Sequence, residues 1–466
     1  MYEKIILDNP GENMKSFLRK IFFFSTLFLT GCLSAAPRNE VLKDKQGRPV
    51  RLGGKLSPAQ VLIPAVYHVP AAELRGVWIS TVENLDFPRQ QSAAAAKALI
   101  AKQMQNLKAR NFNAVFFQVR PNNDAFYPSR LNPWSRWLTG TEGKGIAGLD
   151  PLQCAVTEAH RNGLEFHAWL NPYRVIGRTK LSKSAYLASL APGNFARNNP
   201  EMVLSVELGK GERLLFLNPA EPAVRRHVLE SIREIALRYP VDAIHFDDYF
   251  YPYDGMGNVD QHSFRKYNPR KLSLADWRRS NVDALISQVK PLLEECRRKT
   301  GRQVRFGISP FGIWGNRKNF AAGSLTAGKE SYSVQYADTR GWVKKGYLDY
   351  IVPQIYWHFG HDVAAYGALT DWWADQVAGT GCDLYIGMAV YRCGSAQWSD
   401  PAELLHQIRF NTKYPTIKGQ VFFRYESVVA PSNPAMRSAM AGLQKYWRHP
   451  VPVRAAAAGK KYPRFR

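Results

Sequence analysis

From Glu73 to Trp447 the chain alternates short apolar runs with longer amphipathic stretches. Eight runs have strand length: LRGVWIS (74–80), AVFFQVR (114–120), EFHAWL (165–170), AIHFDDYF (243–250), VRFGIS (304–309), YIVPQIYW (350–357), LYIGMAVY (384–391) and QVFFRY (420–425). Between them, segments such as 93–109, 151–162, 222–239 and 280–299 carry apolar residues at helical spacing. Alternation of this kind specifies a parallel α/β fold, and eight repeats predict a (β/α)8 TIM barrel. An open doubly wound sheet fits less well, because no Gly-rich nucleotide fingerprint follows an early strand. The barrel spans 71–447, longer than a minimal one, so loops are inserted. One insertion, around 176–217, contains VLSVEL-GKGE-RLLFLN and reads as a hairpin.

The flanks differ in pattern. Residues 1–31 form an upstream extension and export signal, in which Met14 is a better start than Met1. Lys15, Arg19 and Lys20 precede a short apolar stretch, Ile21 to Leu29, too short to span a bilayer but suited to a secretory signal. Leu29-Thr30-Gly31-Cys32 resembles the lipobox of bacterial lipoproteins, which implies acylation of Cys32 and cleavage before it; an ordinary cleaved signal with an incidental cysteine is the alternative. Leu33 in place of Asp leans toward the outer membrane, facing the periplasm. Residues 32–70 are polar and read as a tether and lead-in. Residues 448–466 form a basic tail, read as disordered.

Barrel enzymes carry their chemistry at the C-terminal ends of strands. Here the fourth run ends His245-Phe246-Asp247-Asp248-Tyr249, and two adjacent carboxylates after an apolar strand are costly unless paired or solvated. Alternation puts His245 and Asp247 on one face; if that face is the lumen, Asp247 points into the barrel mouth. The bland reading is a helix cap or surface turn. The second run ends Gln118-Val119-Arg120 and leads to Asp124, which is either a structural ion pair with Arg120 or part of the site. Trp78 lies near the end of the first run, Trp169-Leu170-Asn171-Pro172-Tyr173-Arg174 ends the third, Gln354-Ile355-Tyr356-Trp357 the sixth and Tyr391-Arg392 the seventh, with Glu426 just past the eighth. Aromatic rings beside amides, arginines and carboxylates suit sugars, whose C–H faces stack while hydroxyls meet planar polar groups.

Glycoside hydrolysis uses two carboxyl groups, one protonated and one ionised. Asp247 is the expected ionised partner. The acid is open among Asp248, Asp124, Glu426 and Glu83, with Asp124 favoured because neighbouring residues rarely address opposite sides of one substrate.

Composition narrows the partners. The formal net charge is +25, and removing residues 1–31 leaves +24, so basicity belongs to the body of the chain and suits an anionic partner. No zinc-finger spacing or RNP-like motif supports nucleic acid. No CxxC pair suggests a metal ribbon. Cys382 and Cys393 are candidates for a disulfide in an oxidising compartment, whereas Cys154 and Cys296 read as helix thiols.

ELRGVWIST (73–81), FFQVRPNNDAFYPS (116–129), AWLNPYR (168–174), HFDDYFYP (245–252) and VPQIYW (352–357), with the lipobox, resemble the glycosyl-hydrolase-like family 10 lipoproteins. The resemblance implies a TIM-barrel glycosidase of the cell envelope that needs no cofactor and cuts β-1,4 MurNAc–GlcNAc bonds in peptidoglycan glycan strands stripped of peptides. It also implies a link to cell division and its proteins. Related barrels carry one Asp in an H-L-D-Y pattern, which aligns with Asp247 and leaves Asp248 as an addition. The lactyl carboxylate of MurNAc would suit Arg120, Arg174 or Arg392. Two rivals remain: a non-catalytic glycan-binding lipoprotein, and a metal-dependent polysaccharide deacetylase for which His358 and His361 are the nearest histidine pair.

Overall fold

The computed structural model describes residues 38–398 and 400–454. Its centre is a closed barrel of eight parallel strands, each hydrogen-bonded to the next in sequence. They are β1 (Leu74–Ile79), β2 (Ala114–Arg120), β3 (Glu165–Leu170), β4 (Ala243–Phe246), β5 (Arg305–Ile308), β6 (Tyr350–Ile351), β7 (Asp383–Ala389) and β8 (Ile417–Phe423). Every residue of β1 and β2 is buried, because lumen and helices cover both faces; this is why the strands read as unbroken apolar runs. Helices follow the strands in turn: α1 (Ala93–Lys108), α2 (Pro151–Arg161), α3 (Pro222–Arg238), α4 (Leu274–Thr300), α5 (Thr339–Lys344), α6 (Tyr366–Val377), α7 (Glu403–Asn411) and α8 (Pro434–Tyr446). The TIM barrel expected from the strand count is the fold.

Local chemistry sets the element ends. Ser92 caps α1 by accepting from the Ala95 amide, and Asp150 caps α2 ahead of Pro151. Helix α4 starts at Leu274 rather than at 280, because Ser273 accepts from the Asp276 amide and holds an earlier turn. Strand β4 stops at Phe246 and β6 at Ile351, both short of the apolar runs that announced them. Just past β6, Pro353 has no amide to give the ladder.

The insertion is a three-stranded antiparallel sheet, with Glu212–Leu217 between Arg174–Thr179 and Val203–Gly209. Its tip is the predicted hairpin. Lys210 and Gly211 both take positive φ, 53° and 71°, the backbone of a two-residue turn matched to strand twist; the outer strand at 174–179 was not foreseen.

Two segments read as loose are packed. In the lead-in, Asn39–Val41 pairs antiparallel with Leu62–Pro64, and Leu42, Val61 and Ile63 are buried. In the tail, the fully buried Arg75 donates to the His449 carbonyl at 2.9 Å, Asn113 to that of Val451 at 3.0 Å, and the Glu73 amide to that of Pro452 at 2.9 Å. Residues 448–454 thus seal the closed end of the barrel. The export signal and Cys32 lie outside the described residues.

A polar column runs down the lumen from the mouth. His245 Nε2 accepts from Trp78 Nε1 at 3.3 Å and meets Ser309 Oγ at 3.0 Å, while Nδ1 contacts Tyr350 Oη at 3.2 Å. Tyr350 Oη also contacts His167 Nδ1 at 2.9 Å, and His167 Nε2 meets Glu165 Oε2 at 3.3 Å. Glu165 closes the column on Arg454 at 2.5 Å. Against the desolvation of its site, the partners His167 and Arg454 hold Glu165 down to about 2.

Candidate active site

At the C-terminal ends of the strands lies a cleft of about 230 Å³, where this fold places its chemistry. Beyond Phe246 the chain leaves the sheet, so the alternation of faces lapses and Asp247 and Asp248 line the same cleft. Both are 3% exposed. Asp247 Oδ2 accepts from Trp169 Nε1 at 3.1 Å and Oδ1 from the Tyr249 amide at 3.2 Å. Asp248 Oδ2 accepts from the Tyr253 hydroxyl, and its main-chain carbonyl accepts from Gln335 Nε2 at 2.5 Å.

Burial raises both carboxyls above the ordinary range. The charge on Asp247 pushes Asp248 further, while Arg174 pulls both back. Like charges this close resist double ionisation, so at neutral pH the pair shares one proton. Asp247, with two N–H donors, keeps the charge, and Asp248 keeps the proton. One protonated and one ionised carboxyl can therefore stand side by side in the cleft.

The walls follow from strand register. Gln118, Trp169 and His245 are neighbours on β2, β3 and β4. Trp169 faces the cleft; His245 lies beneath the floor. Since an indole only donates, Nε2 of His245 is the acceptor and Nδ1 carries the proton; burial, and then the nearby His167, keep the ring well below its usual pKa and neutral. The Gln118 side-chain oxygen accepts from the Thr81 amide at 3.0 Å and the Val82 amide at 2.9 Å. That fixes the amide's orientation; its buried Nε2 has no partner, and Gln118 lines the cleft. The Arg174 guanidinium stacks 3.6 Å over the Tyr249 ring and forms no salt bridge among the described residues. Gln354 and Tyr356 complete the predicted lining. Gln354 donates to the Ser309 carbonyl at 2.8 Å, and burial keeps the Tyr356 phenol protonated.

Several predicted residues lie elsewhere. Arg120 is fully buried, donating to the Asn171 carbonyl at 2.7 Å and to Asn123 Oδ1 at 2.5 Å. Asn171 holds the β2 loop through the Pro121 carbonyl at 2.9 Å and meets Trp169 Nε1 at 3.3 Å; it positions the tryptophan and does not line the cleft. Asp124 is 1% exposed beneath that loop, accepting from the Asn122 amide at 3.0 Å. Burial raises it to about 6, and it does not line the cleft. Tyr173 is core. Trp357 packs edge-on against Phe311 outside the lining, Tyr391 sits exposed at the rim against Tyr356 and Phe423, and Arg392 stacks on Tyr391. Glu426 pairs with Arg424 at 2.7 Å and is half exposed, and Glu83 is exposed.

His361 Nδ1 accepts the Ala364 amide at 2.9 Å, a loop-capping role, and among the described residues no three His, Cys, Asp or Glu side chains gather to hold a metal ion. Cys382 and Cys393 are free. They flank the seven-residue β7, roughly 20 Å end to end at strand rise, far beyond the reach of a disulfide. Sequence reasoning missed Tyr253, Ser309 and Phe423, which all line the cleft. Tyr253 had a usable signal: tyrosines at 249, 251 and 253 follow the acidic pair.

Comparison with known proteins gives the family. The model of the glycosyl hydrolase-like 10 family matches residues 73–403. Glycosyl hydrolase YngK of Bacillus subtilis is 40% identical over 361 residues, 75% of this chain and 68% of its own. Glycosyl hydrolase DigH of Escherichia coli K12 is 35% identical over 464 residues, 95% of this chain and 100% of its own. Among solved structures, the catalytic domain of a Paenibacillus polymyxa beta-amylase aligns over 79% of this chain and 98% of its own, with TM-score 0.49 and 11% identity. A barrel with an acidic pair at its mouth, matched by the family model from Glu73 to Glu403, belongs to the glycosyl hydrolase-like 10 family.

Proposed function

We propose that the chain hydrolyses β-1,4 MurNAc–GlcNAc bonds in peptidoglycan glycan strands whose stem peptides have been removed. The observation that carries the reading is the Asp247–Asp248 pair, two buried carboxyls sharing a cleft with Trp169 and Tyr356. Asp248, protonated at neutral pH, is the general acid that gives its proton to the leaving oxygen. Asp247, ionised, stabilises positive charge developing at the anomeric carbon. Tryptophan and tyrosine faces take the sugar ring, and the unpartnered Gln118 Nε2 takes a sugar oxygen. Arg174, a cation at the cleft with no acidic partner in contact, suits the lactyl carboxylate of MurNAc better than the buried Arg120. The preference for strands without peptides is part of the proposal and rests on the family resemblance. Acylation at Cys32 would hold the enzyme at the outer membrane, within reach of the wall and of division proteins.

The test is incubation of purified protein with intact and with peptide-stripped glycan strands, followed by reducing-end quantification and mass spectrometry. Reducing ends that appear from stripped strands and vanish with Asp247→Asn bear the reading out. Binding of strands without new ends would leave a glycan-binding protein instead.

A further inference from the structure

Hydrolases that act by direct displacement set two carboxyls on either side of the scissile bond, about 5 to 5.5 Å apart when retaining and about 6.5 to 9.5 Å when inverting. In this cleft both carboxyls come from the same side. Asp247 and Asp248 are consecutive residues at the end of β4. In the closed order of eight strands, β8 lies four strands from β4 and so across the barrel. What β8 brings to the cleft is Phe423. The next carboxyl along, Glu426, is tied to Arg424 at 2.7 Å and half exposed. After β1, Glu83 is exposed and absent from the lining, and Asp86 is consumed by the Ser80 amide at 2.9 Å and by Arg424 at 2.6 Å. Among the described residues the rest of the lining is uncharged apart from Arg174. The cleft supplies an acid and a carboxylate at one edge of the bond and no carboxylate opposite them.

Resting on the glycosidase reading above, we propose that the nucleophile is supplied by the substrate: the 2-acetamido carbonyl oxygen of the bound sugar attacks its own anomeric carbon, with Asp247 accepting the acetamido N–H and Asp248 acting as acid and then base. A carboxylate beside an acid is what this chemistry requires, because the acetamido group and the leaving oxygen sit on adjacent carbons of one ring. As the carbonyl oxygen bonds to C1, the C1–O bond to the leaving sugar breaks and the Asp248 proton passes to the departing oxygen. The resulting oxazolinium carries its positive charge against Asp247, whose orientation Trp169 Nε1 and the Tyr249 amide fix. Water then adds to C1, gives its proton to Asp248, and the five-membered ring reopens to the amide. Two inversions return the original anomeric configuration.

Two measurements decide it. First, peptide-stripped strands are chemically de-N-acetylated and re-acylated with either acetyl or trifluoroacetyl groups. Fluorine starves the carbonyl oxygen of electrons, so kcat is expected to fall by at least about 100-fold on the trifluoroacetyl strands, with KM changed little; equal kcat on the two polymers overturns the proposal. Second, the stable thiazoline analogues of GlcNAc and MurNAc are titrated by calorimetry. At least one should bind at least about 100-fold more tightly than its parent sugar, and Asp247→Asn should abolish that gain. No gain in binding, or a covalent 2-fluoroglycosyl adduct mapped to Asp247, overturns the inference while leaving glycoside hydrolysis intact. If stripped strands yield no new ends at all, the substrate reading fails instead, and the thiazoline titration still decides for or against the inference.

Discussion

The shared proton makes a prediction about stability that needs no substrate. Replace Asp248 by Asn, which keeps shape and removes one titrating group. Folding raises the Asp248 pKa through burial and the neighbouring Asp247 charge. A carboxyl raised on folding lends stability that is fully present below its unfolded value, about 3.9, and is lost as pH climbs through the folded one. Within that window each pH unit costs the wild type about 1.4 kcal/mol for one proton. The ceiling follows from repulsion: two neighbouring carboxylates at an effective dielectric of about 20 oppose each other by a few kcal/mol, on the order of 3. Arg174 offsets part of that. The Asn variant escapes the penalty. Its melting temperature relative to wild type should therefore be lowest near pH 4, rise steadily with pH, and level off in the mildly alkaline range at a gain of a few degrees. The Asn side-chain oxygen can still accept from the Tyr253 hydroxyl. Scanning calorimetry of both proteins across pH 4 to 9 reads the difference directly. A difference that is flat, or that shrinks as pH rises, refutes the one-proton picture, and with it the assignment of Asp248 as the acid.

Other expectations follow from the same geometry. Asp247→Asn should fold normally by circular dichroism and lose at least about 10³-fold in kcat for reducing-end release. Tyr253→Phe removes a donor to Asp248, so the alkaline limb of the pH–rate profile should move up by about one unit while KM holds; an unmoved limb denies Tyr253 any hold on the acid. Asp124→Asn should retain kcat to within about threefold, since Asp124 lies under the β2 loop, and a large loss would return it to the chemistry. Deleting 448–466 strips carbonyl acceptors from Arg75, Asn113 and the Glu73 amide, at about 1–3 kcal/mol for each buried donor left unpaired. The urea midpoint should drop clearly, and an unchanged midpoint would mean that the tail is not docked in solution.

The barrel was legible in the sequence because its strands are buried on both faces and read as plain apolar runs. The position of Asp247 was legible too, since a carboxylate after such a run has few places to go. What misled was local rule-following past the end of the ladder. Adjacency argued against Asp248 as a partner; in the structure β4 stops at Phe246 and both residues line the cleft. Asp124 and Arg120 looked like site residues because they follow a strand end. Their polar groups instead satisfy the β2 loop and the Asn171 carbonyl, contacts between segments that no spacing reveals. The lead-in and the first residues of the tail are polar by composition, but backbone carbonyls, invisible to any hydropathy scale, are what bind the tail beneath the strands.

That docking also settles where attachments can be made. Glu40 pairs with Arg409 near the C-terminal end of α7, and Arg454 with Glu165 at the start of β3. Both extremities of the described chain therefore leave from the end remote from the cleft. A reporter or an immobilising tag fused past Arg454 would trail behind the molecule, leaving the opposite pole clear for a long glycan to thread across.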